Sequence, residues 1–249
     1  MNMILALWSI PRSISTGFER MMMERGDFKI VHEPFSYFFY AKEKRAQAVH
    51  MNVDPAAPVN FPDILAHILS EAQRAPVFFK DMCYHVISRV DRGFLSHFVN
   101  TFIIRDPAWT LPSHYKLNPG FTMEEAGYEA QHKVFEMVAH MTGKTPVVVD
   151  AEDVVDDPHG VIKAYCEAIN IPFIPQSLTW KAEFKPEWKT WEKWHLDAAK
   201  STGFIKDMEE FDVTVHDVPR LREAYESCRP FYERLFKHRV RASSPETSD

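Results

Sequence analysis

Glycine is scarce in this chain, 8 in 249 residues, and neither GxxxxGK[ST] nor GxGxxG occurs. That argues against a nucleoside-triphosphatase loop and a dinucleotide fingerprint, which need glycines to bring backbone N–H groups onto phosphate oxygens. Cysteine is equally thin. Cys83, Cys166 and Cys228 show no CxxC spacing, which fits neither a disulfide framework nor a zinc knuckle and makes a reducing compartment the expectation. No excess of basic residues exists: the formal net charge is -6, so a nucleic-acid or anionic-membrane partner is not expected. Long apolar runs are missing too. The opening "MNMILALWSI" is too short to span a bilayer, carries no basic leader and runs into Pro11-Arg12-Ser13 instead of a small-residue cleavage site. It reads as a first strand, in a protein expected to be cytoplasmic. His85, His97 and His114 show no HExxH or comparable spacing, so no metal site is expected.

What the sequence does contain is five short apolar runs: Met3 to Trp8, Phe28 to His32, Pro76 to Lys80, Thr101 to Arg105 and Pro146 to Asp150. Most are continuously apolar, as strands covered on both faces are. Stretches long enough for helices lie between them. Residues Met123 to Met141 set Ala126, Ala130, Val134, Val138 and Met141 at helical spacing, with Gly143 as the stop. Asp157 reads as an N-cap and Pro158 as a first helical residue, followed by a stripe of Val161, Tyr165 and Ile169. Alternating strands and helices predict a single α/β domain over residues 1–240, with a central parallel sheet of about five strands flanked by helices. Residues 241–249 read as a disordered polar tail, and the proline-rich segment from Asn52 to Pro62 as a surface loop able to act as a lid.

Polar residues gather at the carboxyl ends of these runs, where open parallel sheets bind ligands. Arg12 to Thr16 follow the first, Glu33 the second, Lys80 ends the third, Arg105 the fourth, and Asp150 with Glu152 close the fifth. Three cations facing one acid predict a polyanionic ligand. The string "LWSIPRSISTGF" is a strand, a tight loop and a helix beginning near Ser15. Such a turn aims unpaired N–H groups and the positive end of the helix dipole at one spot, to which Ser15 and Thr16 add hydroxyls and Arg12 a planar fork. A simpler alternative is a hydroxyl N-cap from Ser13 or Ser15.

"PRSISTGF" resembles the phosphosulfate-binding loop of sulfotransferases that use 3′-phosphoadenosine 5′-phosphosulfate (PAPS), with Arg12 where many members have lysine. "IIRDPAWTLPSHY" is similar to that family's 3′-phosphate grip, through Arg105, Pro107 and Ser113, and "VVVDAEDVVDDPHGVIKAYCEAINIPF" to its strand, acidic turn and helix. The resemblance implies a P-loop-like sulfotransferase fold, PAPS as co-substrate, no metal, and a small-molecule acceptor. It implies donor binding by Arg12, Ser13, Ile14, Ser15, Thr16, Arg105 and Ser113, and catalysis by Glu33, Lys80 and Arg12. Met82 stands where the cytosolic branch carries its histidine base, so the glutamate-base type is the nearer likeness, with Glu33 as base and His32 beside it as a second candidate. Gly17 stands where that branch often has an adenine-stacking tryptophan, and "AKSTGF" is the candidate for its missing C-terminal glycine-rich segment.

Each residue also has a plainer reading: Glu33 as an ion pair with Arg12, Lys80 as a solvated strand end, and Arg105 paired with Asp106 or Glu152. The cluster Phe35 to Tyr40 reads first as a helix burying Phe35, Phe38 and Phe39, and Trp188, Trp191 and Trp194 as a packed cover helix. The other functional classes are a P-loop-like kinase or phosphotransferase, which wants a Walker lysine and Mg²⁺ ligands, and a non-catalytic nucleotide-binding protein that retains the fold.

Overall fold

The computed structural model describes residues 2–204 and 211–242. Its sheet has five parallel strands: β1 (Ile4–Ser9), β2 (Lys29–His32), β3 (Val77–Met82), β4 (Val99–Ile104) and β5 (Val147–Asp150), in the order β2-β3-β1-β4-β5. Strand β1 pairs with β3 from Ile4 opposite Val77 to Ser9 opposite Met82, and with β4 from Leu5 opposite Val99 to Trp8 opposite Phe102. Helices connect them: α1 (Ser15–Arg25), α2 (Phe61–Glu71), α3 (Cys83–Val86), α4 (Arg92–Leu95), α5 (Pro107–Leu117), α6 (Met123–Ala126), α7 (Tyr128–Thr142), α8 (Ala151–Asp156) and α9 (Pro158–Ala168). A 3-10 segment over Pro186–Trp194, α10 (Leu196–Lys200) and α11 (Pro219–Phe236) follow. Among the described residues, no helix is long and apolar enough to cross a membrane.

Strand β1 shows why its sequence is continuously apolar. Ile4, Ala6 and Trp8 point into one core with Phe79, Phe102, Phe35 and Val134, while Leu5 and Leu7 point into the other with Phe78, Phe18, Ile103 and Tyr165. A strand covered on both faces has no side to leave polar. The order of the strands then makes the crevice: β1 leads out to β2 on one flank and its neighbour β4 leads to β5 on the other, so their carboxyl ends diverge. Ligands bind in such crevices.

Local signals hold at several points. Asp157 caps α9 by accepting from the Gly160 N–H, Pro158 is the first helical residue, and Gly143 closes α7 at φ 65°. Phe35, Phe38 and Phe39 are buried, although residues Phe38–Glu43 wind as a π-helix. Three expectations need correction. The helix expected from Met123 to Met141 is two helices: a capping box between Thr122 and Glu125 starts α6, and Gly127, at φ 84° with its N–H on the Glu124 carbonyl, ends it. Strand β3 runs two residues past Lys80, since Trp8 and Ser9 still pair with Asp81 and Met82; Lys80 is fully buried rather than a solvated end. The tryptophan segment is 3-10 rather than one regular helix, with Trp191 outside helical geometry. Of the expected tail, residues 243–249 lie outside the described residues.

Candidate active site

The carboxyl ends of β1, β2, β3 and β4 open into one cavity of about 600 Å³, lined by residues 11–17, Glu33, Lys80, Arg105 and part of the tryptophan segment. That is within the roughly 300–1,000 Å³ usual for small-molecule sites. Its floor is the loop after β1. Arg12 and Ile14 both adopt positive φ, 63° and 55°, without being glycine. For a β-branched residue this is a strained conformation, of the kind tolerated where it shapes a site. Ile14 occupies the N-cap position of α1 with no side-chain cap, so the hydroxyl-cap alternative is not what the loop adopts. The Ser13 hydroxyl donates to the Ile10 carbonyl at 2.7 Å, closing the turn from inside. What Ser13 and Ile14 can offer a ligand is backbone; Ser15, Thr16 and Gly17, in the first turn of α1, have N–H groups without an i−4 partner.

Arg12 reaches across the cavity rather than to Glu33. Its Nε donates to Ser113 Oγ at 2.6 Å, Nη1 to the Trp194 carbonyl at 3.0 Å and Nη2 to Asp197 at 2.6 Å. Arg105 joins the same cluster: Nη1 donates to the Arg12 carbonyl at 3.1 Å and Nε to Glu152 at 2.8 Å. Thus the loop after β1 and the Arg105/Ser113 pair, about a hundred residues apart in sequence, stand together. The expected Glu152 alternative for Arg105 is realised at the same time.

The cation paired with Glu33 is Lys80, not Arg12. Glu33 has φ 37° and is 6 % exposed. Burial pushes its carboxyl up, but the Lys80 ammonium, with His32 and His85, outweighs it and holds the group at about 2. Lys80 also donates to Thr16 Oγ1 at 3.4 Å.

Three groups escaped the sequence. Glu19, on α1, accepts from His32 Nδ1 at 2.8 Å and Trp188 Nε1 at 2.9 Å. His195 joins His32 to Thr16, with Nε2 at 3.0 Å from His32 Nε2 and Nδ1 at 3.1 Å from Thr16 Oγ1. His85, 1 % exposed, is held through Nδ1 by Asp81 at 2.5 Å, and its buried Nε2 has no partner on the cavity wall. Only the last had a readable signal, the Asp81/His85 spacing of four after a strand. Met82, at the position of the cytosolic-branch base, accepts from the Ser9 hydroxyl at 3.2 Å.

His32, Glu33 and His195 offer ligand atoms within 4.8 Å of one another, a spacing a metal ion could use. The chemistry of the set fits one poorly, since the Lys80 ammonium is bonded to Glu33 and would repel a divalent cation. Aromatic rings supply part of the remaining wall, among them Trp109, Trp191, Trp194, Tyr40, Tyr84 and Phe204, beside polar groups such as Gln47, Asn118 and Glu125. Segment 199–204 is thus at the cavity, with Phe204 over Gly17. The loop from Asn52 is tied to the tryptophan segment by the Asn52 N–H on the Thr190 carbonyl and by Asn52 Nδ2 on the Lys189 carbonyl.

Two curated relatives from Arabidopsis thaliana, branched-chain-amino-acid aminotransferase-like proteins 2 and 1, are 25% identical over 246 and 248 residues. The alignments cover 97% of this chain and 43% of each relative, so the chain spans less than half the length of the proteins it matches. Among solved structures, the sulfotransferase domain from the curacin biosynthetic pathway aligns over 91% of this chain and 97% of its own, at TM-score 0.47 and 11% identity. That from the Synechococcus PCC 7002 olefin synthase aligns over 95% and 94%, at TM-score 0.49 and 15% identity. The family model described as "Sulfotransferase domain" matches residues 2–240, nearly the whole chain, and the protein belongs to that family.

Proposed function

We propose that the protein moves a sulfuryl group from PAPS to a hydroxyl, or an amine, of a small acceptor. The observation that carries this reading is the meeting of two anion-binding elements: Arg12 bonds Ser113, and Arg105 bonds the Arg12 carbonyl, in the cavity that also holds the start of α1. The 5′-phosphosulfate takes the loop from Arg12 to Thr16, and Arg105 with Ser113 takes the 3′-phosphate. Sulfuryl transfer moves a compact anion in line between two oxygens, so positioning and electrostatics supply most of the catalysis. Arg12 and Lys80 are the cations placed for that.

Glu33 takes the acceptor's proton in this reading. A carboxylate held at about 2 by Lys80 is a weak base. Sulfuryl oxygens that draw the ammonium toward themselves remove the lowering influence and leave burial, which raises the pKa. One observation favours a second base: His85 has an unpartnered buried Nε2 on the cavity wall and a carboxylate, Asp81, behind Nδ1. The test is turnover with PAPS, read by mass spectrometry as products heavier by one sulfuryl group, for the parent chain, Glu33→Gln and His85→Gln. Glu33→Gln is expected to abolish turnover and leave binding of adenosine 3′,5′-bisphosphate nearly intact. Loss in His85→Gln with turnover kept in Glu33→Gln transfers the role, and no sulfated product from any acceptor pool rejects the reading.

A further inference from the structure

A hydrogen-bonded chain leads from the anion-binding loop into the core, and none of the steps above uses its members beyond Thr16. It runs from the Thr16 hydroxyl through His195 and His32 to Glu19, with heavy-atom separations of 3.1, 3.0 and 2.8 Å. Glu19 is fully buried and is also held by Trp188.

The hydrogens can be placed by elimination. An ionised carboxylate only accepts, so His32 Nδ1 carries a hydrogen. One hydrogen lies between the two Nε2 atoms: none would face two lone pairs, and two would collide. Two charge states remain. With both imidazoles neutral, His195 donates from Nε2 to His32, and its Nδ1 accepts the only hydrogen of Thr16, which is thereby turned inward. With one proton more, His32 is an imidazolium donating from Nε2, His195 carries its hydrogen on Nδ1 and donates to Thr16 Oγ1, and the Thr16 hydrogen is released toward the cavity. The exchange takes up one proton at Thr16 and shifts one proton across each of the next two bonds. The first arrangement shows an incoming anion oxygen lone pairs. The second shows it a donor.

The groups facing this chain fix where the extra proton rests. His195 faces His32, Lys80 and Arg12, and burial together with these cations holds its own pKa well below the ordinary range. His32 faces the Glu19 carboxylate at Nδ1 and Glu33 Oε1 at 3.9 Å from Nε2, so the counter-charges for the added hydrogen stand at His32. We propose that His32 and His195 are positioning residues that set the direction of the Thr16 hydroxyl, so that an anion on the Arg12–Thr16 loop binds together with one proton. The inference rests on the reading above only in placing an anion on that loop.

Inorganic sulfate tests it, because sulfate does not itself titrate near neutrality. Calorimetric titrations of the full chain in buffers of different ionisation heat are expected to show uptake approaching one proton per sulfate, with affinity falling up to about tenfold per pH unit above the pKa of the pair. His195→Gln and Thr16→Val are expected to abolish the uptake. Nitrogen-15 histidine spectra of the parent chain give a readout independent of any variant's folding: sulfate is expected to move the His195 hydrogen from Nε2 to Nδ1. Sulfate binding without proton uptake and with that tautomer unchanged overturns the proposal. So does one-to-one Zn²⁺ binding that occupies both Nε2 atoms. Binding of adenosine 3′,5′-bisphosphate with no such coupling sinks this inference alone, whereas failure of both anions to bind sinks the proposed function with it.

Discussion

Lys80 and Glu33 show how much one residue can decide. Both are buried and each is the other's main counter-charge. Removing one partner of such a pair leaves an uncompensated charge and costs about 3–5 kcal/mol. Lys80→Met is therefore expected to lose about that much stability at pH 7 in urea unfolding. The deficit should shrink at pH 4. In the parent chain the Glu33 pKa is depressed from 4.5 to about 2, so its stabilisation is present above 4.5 and lost as pH falls toward 2. Without Lys80, burial alone raises the pKa, and acid relieves the charge instead. Asp150 has the opposite sign. Burial, with Glu152 beside it, pushes its carboxyl up to about 7, so its stabilisation is full below 3.8 and lost as pH rises through 7. Asp150→Asn keeps an acceptor for the Glu152 and Asp153 N–H groups. It is expected to stabilise by about 1–2 kcal/mol at pH 8 and little at pH 4, in thermal melts at both pH values.

Among the elements, the break between α6 and α7 is the most informative. Gly127 combines φ 84° with close neighbours: an added Cβ would lie 3.1 Å from Ile10 and 3.3 Å from Tyr84. Ile10 precedes the Arg12 loop and Tyr84 lines the cavity. Gly127→Ala is expected to cost about 1–3 kcal/mol in urea unfolding and to reduce turnover through displacement of Ile10. The apolar spacing from Ala126 to Met141 predicted one helix, although Ala126 packs beside Ile10 and Phe121 while Ala130, Val134 and Val138 pack in the core under β1. The turn that separates the two helices is made at Gly127, closing a helix that Thr122 and Glu125 start, and spacing of apolar residues sees neither feature. The strands were legible because apolar runs of four to six residues between turn signals have few other uses. Their ends were less so: Asp81 looked like the start of a loop and is the fifth residue of β3, its charge satisfied by the Phe35 and Met82 N–H groups and by His85.

Across the whole molecule, the site divides by how it is encoded. The Arg12 to Thr16 loop and the Arg105/Ser113 motif are local strings, and parallel topology brings strand ends together whatever lies between them. Glu19, His195 and the partnerless Nε2 of His85 depend on packing. His195 comes to Thr16 from 179 residues away, at the end of a 3-10 segment whose path no periodicity states. Ligand binding is expected to act on the whole fold. At a hundred times its dissociation constant, adenosine 3′,5′-bisphosphate should stabilise the chain by about 2.7 kcal/mol without added metal, read as a rise in melting temperature. Dependence of the shift on Mg²⁺ would favour the phosphotransferase alternative.

Arg12 is held by Asp197, and Arg105 by Glu152. Each carboxylate is tethered to its arginine by the fold, at an effective molarity that a dissolved monoanion must outcompete one site at a time. Under the proposed function, a molecule with two anionic ends at the right separation is expected to replace both in a single encounter, the protein's own acids then acting as an entry filter that rewards span over charge.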